Sequence, residues 1–350
     1  MLKAEFTKYP LHFIQPAGTS RGILKSRDSW YLKVYDDESQ ETFGIGEIAP
    51  LPRLSVELRD NFEMLIEKLC ENLNDIVEDF HFKLQEFPSL RFGLETALLD
   101  KEMGGKRILF PGKFTTGEEK LTINGLVWMG DYQFMFDQLK EKADNGYKCI
   151  KLKIGAIEFE EELKLLSYIR KHFSPEQIEI RVDANGAFSN DDALMKLQKL
   201  SKFELHSIEQ PIEQGQWEEM ADLCRKTPLP IALDEELIGL NVQQHKEVVL
   251  ESIMPQFIIL KPGLIGGFKS GKEWIDLAEK NNIGWWITSA LESNVGLNAI
   301  AQWAWSLRNT MPQGLGTGQL FSNNIESPLY IEKDQLGYSP DLDWNLDVIA

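Results

Sequence analysis

Five charged residues recur through the middle of this 350-residue chain at nearly one spacing. They are Lys153, Asp183, Glu209, Asp234 and Lys261, separated by 30, 26, 25 and 27 residues. Each closes a short apolar run, as in Ile208-Glu209-Gln210-Pro211 or Leu260-Lys261-Pro262-Gly263. A step of that length is one strand plus one helix, so the same rim of a sheet collects all five. Three carboxylates gathered there repel; at ~4 Å and an effective dielectric near 20 each pair costs roughly 4 kcal/mol. A bound cation removes that cost. Only oxygen donors are offered, with no His or Cys at a strand end, so a hard divalent ion is expected on Asp183, Glu209 and Asp234: Mg²⁺ best, Mn²⁺ as a substitute. Any one of the three alone reads more simply as a rim residue satisfied by loop amides or an ion pair. Three on consecutive strands between two lysines read as a site.

The run Cys149-Ile150-Lys151-Leu152-Lys153-Ile154-Gly155 carries two lysines one residue apart. A strand alternates faces, so Lys151 and Lys153 point one way and Ile150, Leu152 and Ile154 the other. Lys153 and Lys261 stand on either side of the three carboxylate strands, with a substrate expected between them. A lysine beside a divalent cation and a second ammonium is expected to have its pKa pulled toward neutrality, as a general base requires. Lys151, one pleat deeper, would lower the pKa of Lys153 and contact a ligand carboxylate. Glu235 offers Lys261 an ordinary ion-pair partner.

Two kinds of unit are needed to position these residues. Residues 1–105 read as an α+β unit. Apolar alternation over Glu5–Phe13, Ser29–Tyr35 and Thr42–Glu47 predicts an antiparallel meander turning at Asp36–Ser39. Helices are expected from Ser55, as N-cap, to about Leu73, and from Ser89 to about Met103. From residue 106 to 324 strands and amphipathic helices alternate. Strands are predicted at Leu121–Trp128, Cys149–Gly155, Ile178–Ala184, Glu204–Glu209, Pro230–Glu235, Phe257–Lys261, Gly284–Ser289 and Gly314–Thr317. Seven following helices make a parallel α/β barrel the expected fold. An open doubly wound sheet competes, but no Gly-rich phosphate turn follows the first strand. The tail 325–350 carries no helix pattern and is expected to return to the first unit.

The formal charge of −18 with no basic stripe argues against a nucleic-acid partner. No apolar run is long enough for a membrane span, and the charged N-terminal residues break any signal-peptide core, so a cytoplasmic protein is expected. Cys70, Cys149 and Cys224 are odd in number and far apart, which points to free thiols.

Lys-x-Lys at 151–153, Asp183-Ala184-Asn185-Gly186, Ile208-Glu209-Gln210-Pro211, Asp234-Glu235 and Lys261-Pro262-Gly263-Leu264-Ile265-Gly266-Gly267 resemble the muconate-lactonizing subgroup of the enolase superfamily. With Gly44-Ile45-Gly46-Glu47 and Pro50-Leu51-Pro52 the likeness spans the chain. It implies an α/β fold, a (β/α)7β modified TIM barrel with an α+β capping domain. It also implies a shared step, removal of a proton α to a carboxylate with Mg²⁺ present, and matches Asp183, Glu209 and Asp234 to the metal ligands and Lys153 and Lys261 to the catalytic lysines. Within the subgroup, Ile123–Trp128, Ser289–Leu297 and Gly314–Gly318 are most similar to the o-succinylbenzoate synthase family of menaquinone biosynthesis. That likeness implies syn dehydration of 2-succinyl-6-hydroxy-2,4-cyclohexadiene-1-carboxylate, a small-molecule carboxylate. Lys153 would take the proton and return it to the departing hydroxide, and Lys261 would stabilise the anionic intermediate.

Further substrate contacts are expected from Arg181 and Asn185, which share a strand face with Asp183; a buried ion pair is the equal alternative for Arg181. Backbone groups around Ser289 and Gly314 are expected to cradle the succinyl carboxylate. Ser20 and Arg21 fall where the family's cap loop covers the pocket, and Arg21 is expected to close over an anionic ligand or else to be solvated. Trp128, Trp285 and Trp286 read as core. The competing function is a dipeptide epimerase or N-acylamino-acid racemase using the same lysines, although Gly314-Leu315-Gly316-Thr317-Gly318 lacks the acidic pair that would hold a dipeptide ammonium. Muconate cycloisomerisation and a non-catalytic barrel binding a carboxylate through its metal are further alternatives. The five histidines fall on no strand end, which disfavours a mandelate-type racemase.

Overall fold

A computed structural model of the chain describes residues 1–19 and 22–349. Ser20 and Arg21 lie outside the described residues, so the roles expected of them are not addressed by the structure.

The first unit is built on three antiparallel strands, β1 (Leu2–Thr19), β2 (Gly22–Asp36) and β3 (Ser39–Ile48), in the order β1-β2-β3. Alternation in β2 separates its two faces. Trp30, Leu32 and Val34 pack beneath the helices Phe62–Glu71 and Pro88–Glu102. Tyr31 faces the other way, where with Ile45 it meets Val295, Ile325 and Ile349 from the last third of the chain. The sheet is therefore covered by its own helices on one side and by the second unit on the other. The helix Pro88–Glu102 lies against Gly44 and Gly46, where a Cβ would fall 1.9 Å and 1.8 Å from the carbonyl oxygens of Ala97 and Gly93. Only glycine permits that approach. The expected N-cap at Ser55 is not used: its hydroxyl accepts from the Leu51 N–H (2.9 Å) in a turn, and the helix starts at Phe62. Serine hydroxyls commonly compete with helix capping in this way.

In the second unit seven parallel strands run in the order β11-β10-β9-β8-β7-β6-β5. They are β5 (Gly125–Val127), β6 (Cys149–Lys153), β7 (Glu179–Asp183), β8 (Ser207–Glu209), β9 (Ile231–Leu233), β10 (Phe257–Leu260) and β11 (Gly284–Ile287). Each is followed by a helix, from Tyr132–Asp144 after β5 to Asn294–Ser306 after β11. The pattern of β7 shows why the sequence folds this way. Ile180 and Val182 point out to the helices, into the main apolar core, while Arg181 and Asp183 point into the barrel. Ala232, Ile259 and Trp286 fill the interior layer.

Closure comes from an eighth segment shorter than the sequence suggests. Gln313 and Gly314 bridge Ile123 on one side and Thr288 on the other. The Gln313 N–H donates to Thr122 O (2.9 Å), Asn124 N–H to Gln313 O (3.0 Å), Gly314 N–H to Ile287 O (2.8 Å) and Ser289 N–H to Gly314 O (3.0 Å). The barrel is thus (β/α)7β, and residues 316–319 form a 3-10 turn rather than more strand. The predicted first strand is likewise split. Its start, β4 (Leu121–Thr122), joins the hairpin of β12 (Leu329–Glu332) and β13 (Gln335–Tyr338) in a separate antiparallel sheet.

The chain after the barrel runs back along the first unit: Ile14 N–H donates to Leu320 O and Ser322 N–H to His12 O, each at 2.9 Å. Among the described residues no helix is long and apolar enough to cross a membrane, and Cys70, Cys149 and Cys224 are free thiols.

Candidate active site

Parallel register sets the rim. Lys153 pairs with Asp183 and Asp183 with Glu209, so these three stand level on adjacent strands. Asp234 follows β9 and Lys261 follows β10, extending the row. One layer deeper, Lys151 is level with Arg181, and Arg181 with Ser207.

The carboxylates and ammonium groups interlock. Lys151 Nζ lies 3.0 Å from Asp183 Oδ2 and donates to Glu209 Oε2. Lys153 Nζ donates to Asp183 Oδ2 (2.9 Å) and Asn185 Oδ1 (2.8 Å). Lys261 Nζ donates to Asp234 Oδ2. Burial disfavours every one of these charges, and the neighbours decide the outcome. Burial lowers Lys151, but Asp183, Glu209 and Asp234 more than offset it and hold the ammonium above its ordinary range. Lys261 is raised in the same way, against burial, by Asp234, Glu209 and Glu235. Burial raises Asp183, yet the three lysines carry it below the usual carboxylate range, whereas burial and the Asp183 charge push Glu209 well up. Deep pairing therefore keeps Lys151 charged here, and its expected influence on Lys153 is preceded by its own ion pairs.

The rim opens on a cavity of about 370 Å³ lined by Lys151, Lys153, Asn185, Glu235, Lys261 and Ser289 on the barrel side. Its other wall is apolar and comes largely from the first unit, including Phe13, Pro16, Ala17, Leu51 and Leu54. Asn185, with φ of 45°, accepts from Lys153 and donates Nδ2–H to Glu235 Oε1 (3.0 Å). It orients both.

Two of the expected substrate contacts are placed otherwise. Arg181 is 1 % exposed and does not reach the cavity. It pairs with Glu179 Oε1 (2.7 Å), donates to Pro312 O (2.9 Å) and lies 4.3 Å over the Trp286 ring. Period-two alternation gives its face correctly, but its depth puts it a layer below the rim. The Ser289 N–H and both backbone groups of Gly314 are used to close the barrel, and a Cβ on Gly314 would meet Thr288 Oγ1 at 2.4 Å. The glycine there admits a neighbouring strand, and it also lines the cavity beside Ser289. The Ser289 side chain does line the cavity, in a chain running from Thr317 Oγ1–H to Ser289 Oγ (2.8 Å) and from Ser289 Oγ–H to Glu292 Oε2 (2.6 Å).

Gln210 is a residue that the sequence reading quoted in a motif but gave no role. Its Oε1 accepts from Asp234 N–H and Glu236 N–H (3.3 Å each), and its Nε2 donates to Ile212 O (3.1 Å). With φ of 39° it fixes the turn that presents Asp234 and Glu235. A Gln placed directly after a rim carboxylate, in Ile208-Glu209-Gln210-Pro211, is the signal the sequence offers.

The donor set fits a hard divalent cation. It is all oxygen, buried, and includes Glu209 Oε1, which has no hydrogen-bond partner among the described residues. Among the described residues no three carboxylates already stand as a cage, because Lys151 and Lys261 bridge them instead.

A sequence family described as "MenC, N-terminal domain" matches residues 1–101, and one described as "Enolase C-terminal domain-like" matches residues 135–335. The o-succinylbenzoate synthase of Desulfotalea psychrophila is 46% identical to this chain over 97% of it and 99% of that protein. The chain belongs to the o-succinylbenzoate synthase family of the enolase superfamily. The crystal structure of MenC from Desulfotalea psychrophila covers 96% of this o-succinylbenzoate synthase-family chain and 99% of its own, with a TM-score of 0.83 and 42% identity. A dipeptide epimerase from Enterococcus faecalis, solved with Mg and the dipeptide L-Leu-L-Tyr, superimposes with a TM-score of 0.84 over 100% and 99% of the two chains. At 19% identity it shares the fold alone.

Proposed function

We propose that the protein dehydrates 2-succinyl-6-hydroxy-2,4-cyclohexadiene-1-carboxylate to 2-succinylbenzoate, as a lyase. One observation supports this reading above the others: two lysines flank three consecutive carboxylate strands at the mouth of a cavity whose far wall is apolar. That wall suits a carbocyclic ring, and the rim suits an acid.

In this reading Lys153, as the neutral amine, removes the proton α to the ring carboxylate. Asn185 aims its Nζ. The C–H electron pair moves into the ring, the C–O bond to the hydroxyl breaks, and the proton on Lys153 leaves with hydroxide as water from the same face. Lys261 stands across the ring and stabilises the negative charge that builds up during the transfer. Its ammonium form is favoured by Asp234, Glu209 and Glu235 despite burial. Asp183, Glu209 and Asp234 would hold Mg²⁺, or Mn²⁺. A divalent ion there supplies Lewis-acid charge that makes the α-proton more acidic. Aromatisation drives the reaction forward.

The test is turnover of the cyclohexadiene and of a panel of L-Ala dipeptides by the purified protein, each with and without EDTA. Diene turnover abolished by EDTA is expected. Turnover of dipeptides alone would sink the assignment, and EDTA-insensitive diene turnover would sink the metal role.

A further inference from the structure

The loop after β11 carries a residue in a conformation that its side chain does not favour. Leu291 has φ of 65°, in the left-handed region, and it lines the cavity. Its side chain joins an apolar group made by Leu11, Phe13 and Ala17 of β1 with Phe321. A non-glycine residue keeps such a backbone only where its surroundings fix it. The fixing group is on the other unit of the protein. Arg27 of β2 is 3 % exposed, and its Nη1 donates to both Ala290 O and Leu291 O, each at 2.7 Å, while Nη2 reaches Pro50 O (3.4 Å). On the loop itself, Ala290 N–H donates to Glu292 Oε2 (2.6 Å).

We propose that Arg27 is a positioning residue for the substrate site. By holding the carbonyls of Ala290 and Leu291 it keeps Leu291 in its left-handed conformation, and so sets the shape of the apolar wall against which the substrate ring packs. The inference rests on the assignment of this cavity as the substrate site. Arg27 touches no substrate; it acts through Leu291. One planar guanidinium nitrogen reaches both carbonyls, which a lysine ammonium at the same position would reach less well.

The test compares full-length wild type with Arg27→Met, Arg27→Lys, Leu291→Gly and the double variant Arg27→Met/Leu291→Gly. Arg27→Met is expected to lower kcat/KM for the cyclohexadiene by about tenfold, chiefly through KM, with Mg²⁺ affinity unchanged. Arg27→Lys should recover part of that loss. Glycine adopts the left-handed backbone unaided, so in the Leu291→Gly background the Arg27→Met change should cost only about twofold. Equal losses in the two backgrounds overturn the proposal. Amide exchange over residues 290–292 provides a readout that needs no turnover. It should quicken in Arg27→Met, and unchanged exchange also overturns the proposal. Failure of the wild type to act on the diene would remove the functional reading while leaving the exchange result to decide the role of Arg27.

Discussion

Glu47, on β3, and Ser293, at the start of the helix Asn294–Ser306, are 246 residues apart and joined through both carboxylate oxygens. Ser293 N–H donates to Oε1 (2.9 Å) and Ser293 Oγ–H to Oε2 (2.6 Å), and Ser29 Oγ–H (2.7 Å) and Gly296 N–H (2.8 Å) complete the set. A buried carboxylate of the first unit thereby caps a barrel helix where its backbone N–H groups and dipole favour negative charge.

Removing that carboxylate leaves buried donors on both units without a partner. Glu47→Ala is expected to cost about 3 kcal/mol or more, and Glu47→Gln less, because the amide keeps one acceptor. Urea unfolding of the full chain measures both. A loss below about 1 kcal/mol in Glu47→Ala would show that the contact does not hold the two units together.

Lys153 and Lys261 should separate cleanly from the metal ligands in their effects. Lys153→Ala is expected to lower kcat by about 10³-fold while leaving Mg²⁺ binding intact, since it removes the proton-transfer group and no ligand. Calorimetric titration with Mg²⁺ beside the diene assay checks this. Retention of more than a tenth of wild-type kcat would rule Lys153 out as the base.

Chelation gives the converse result. EDTA should abolish turnover and added Mg²⁺ or Mn²⁺ should restore it, and Glu209→Gln should weaken Mg²⁺ binding by about tenfold or more. Wild-type Mg²⁺ affinity in Glu209→Gln would remove Glu209 from the ligand set.

Glu95 gives a pH signature outside the site. On the helix Pro88–Glu102, it accepts from Phe268 N–H (2.5 Å) and Lys269 N–H (3.1 Å) at the start of the helix Gly267–Lys280. Burial pushes its carboxyl up to about 7, against the pull of those amides and of Arg91. A folded pKa raised above the unfolded value gives stability that is full below about 4.5 and lost as pH rises through about 7. The unfolding free energy is expected to fall between those values by at most about 1 kcal/mol per pH unit from this group. Glu95→Gln should flatten that part of the profile. Identical slopes in the two proteins would refute it.

The rim could be read from the sequence because a strand and a helix together impose a nearly constant step, which brings Lys153, Asp183, Glu209, Asp234 and Lys261 to one level. Alternation also assigned faces, but it is blind to depth. That is why Arg181, on the same face as Asp183, was open equally to a substrate contact and a buried ion pair, and the structure shows the pair, with Glu179. Backbone groups were harder still: nothing in Gly314-Leu315-Gly316 tells that Gly314 is consumed in closing the barrel. The pairs Glu47–Ser293 and Arg27–Leu291 join segments more than two hundred residues apart, and no local pattern connects them.

That separation along the chain is also a separation in time. Arg27 leaves the ribosome 263 residues before Ala290, its partner, and at ordinary rates of synthesis it waits roughly ten seconds or more. Until then Tyr31 and Ile45 lack the cover that Val295, Ile325 and Ile349 supply, because those residues are made later. A nascent chain that stops short of Val295 therefore presents a finished sheet with one apolar face lacking its cover from the second unit. The cavity is a late product too, because Leu291, Thr317 and Ile331 line it beside Phe13 and Leu51.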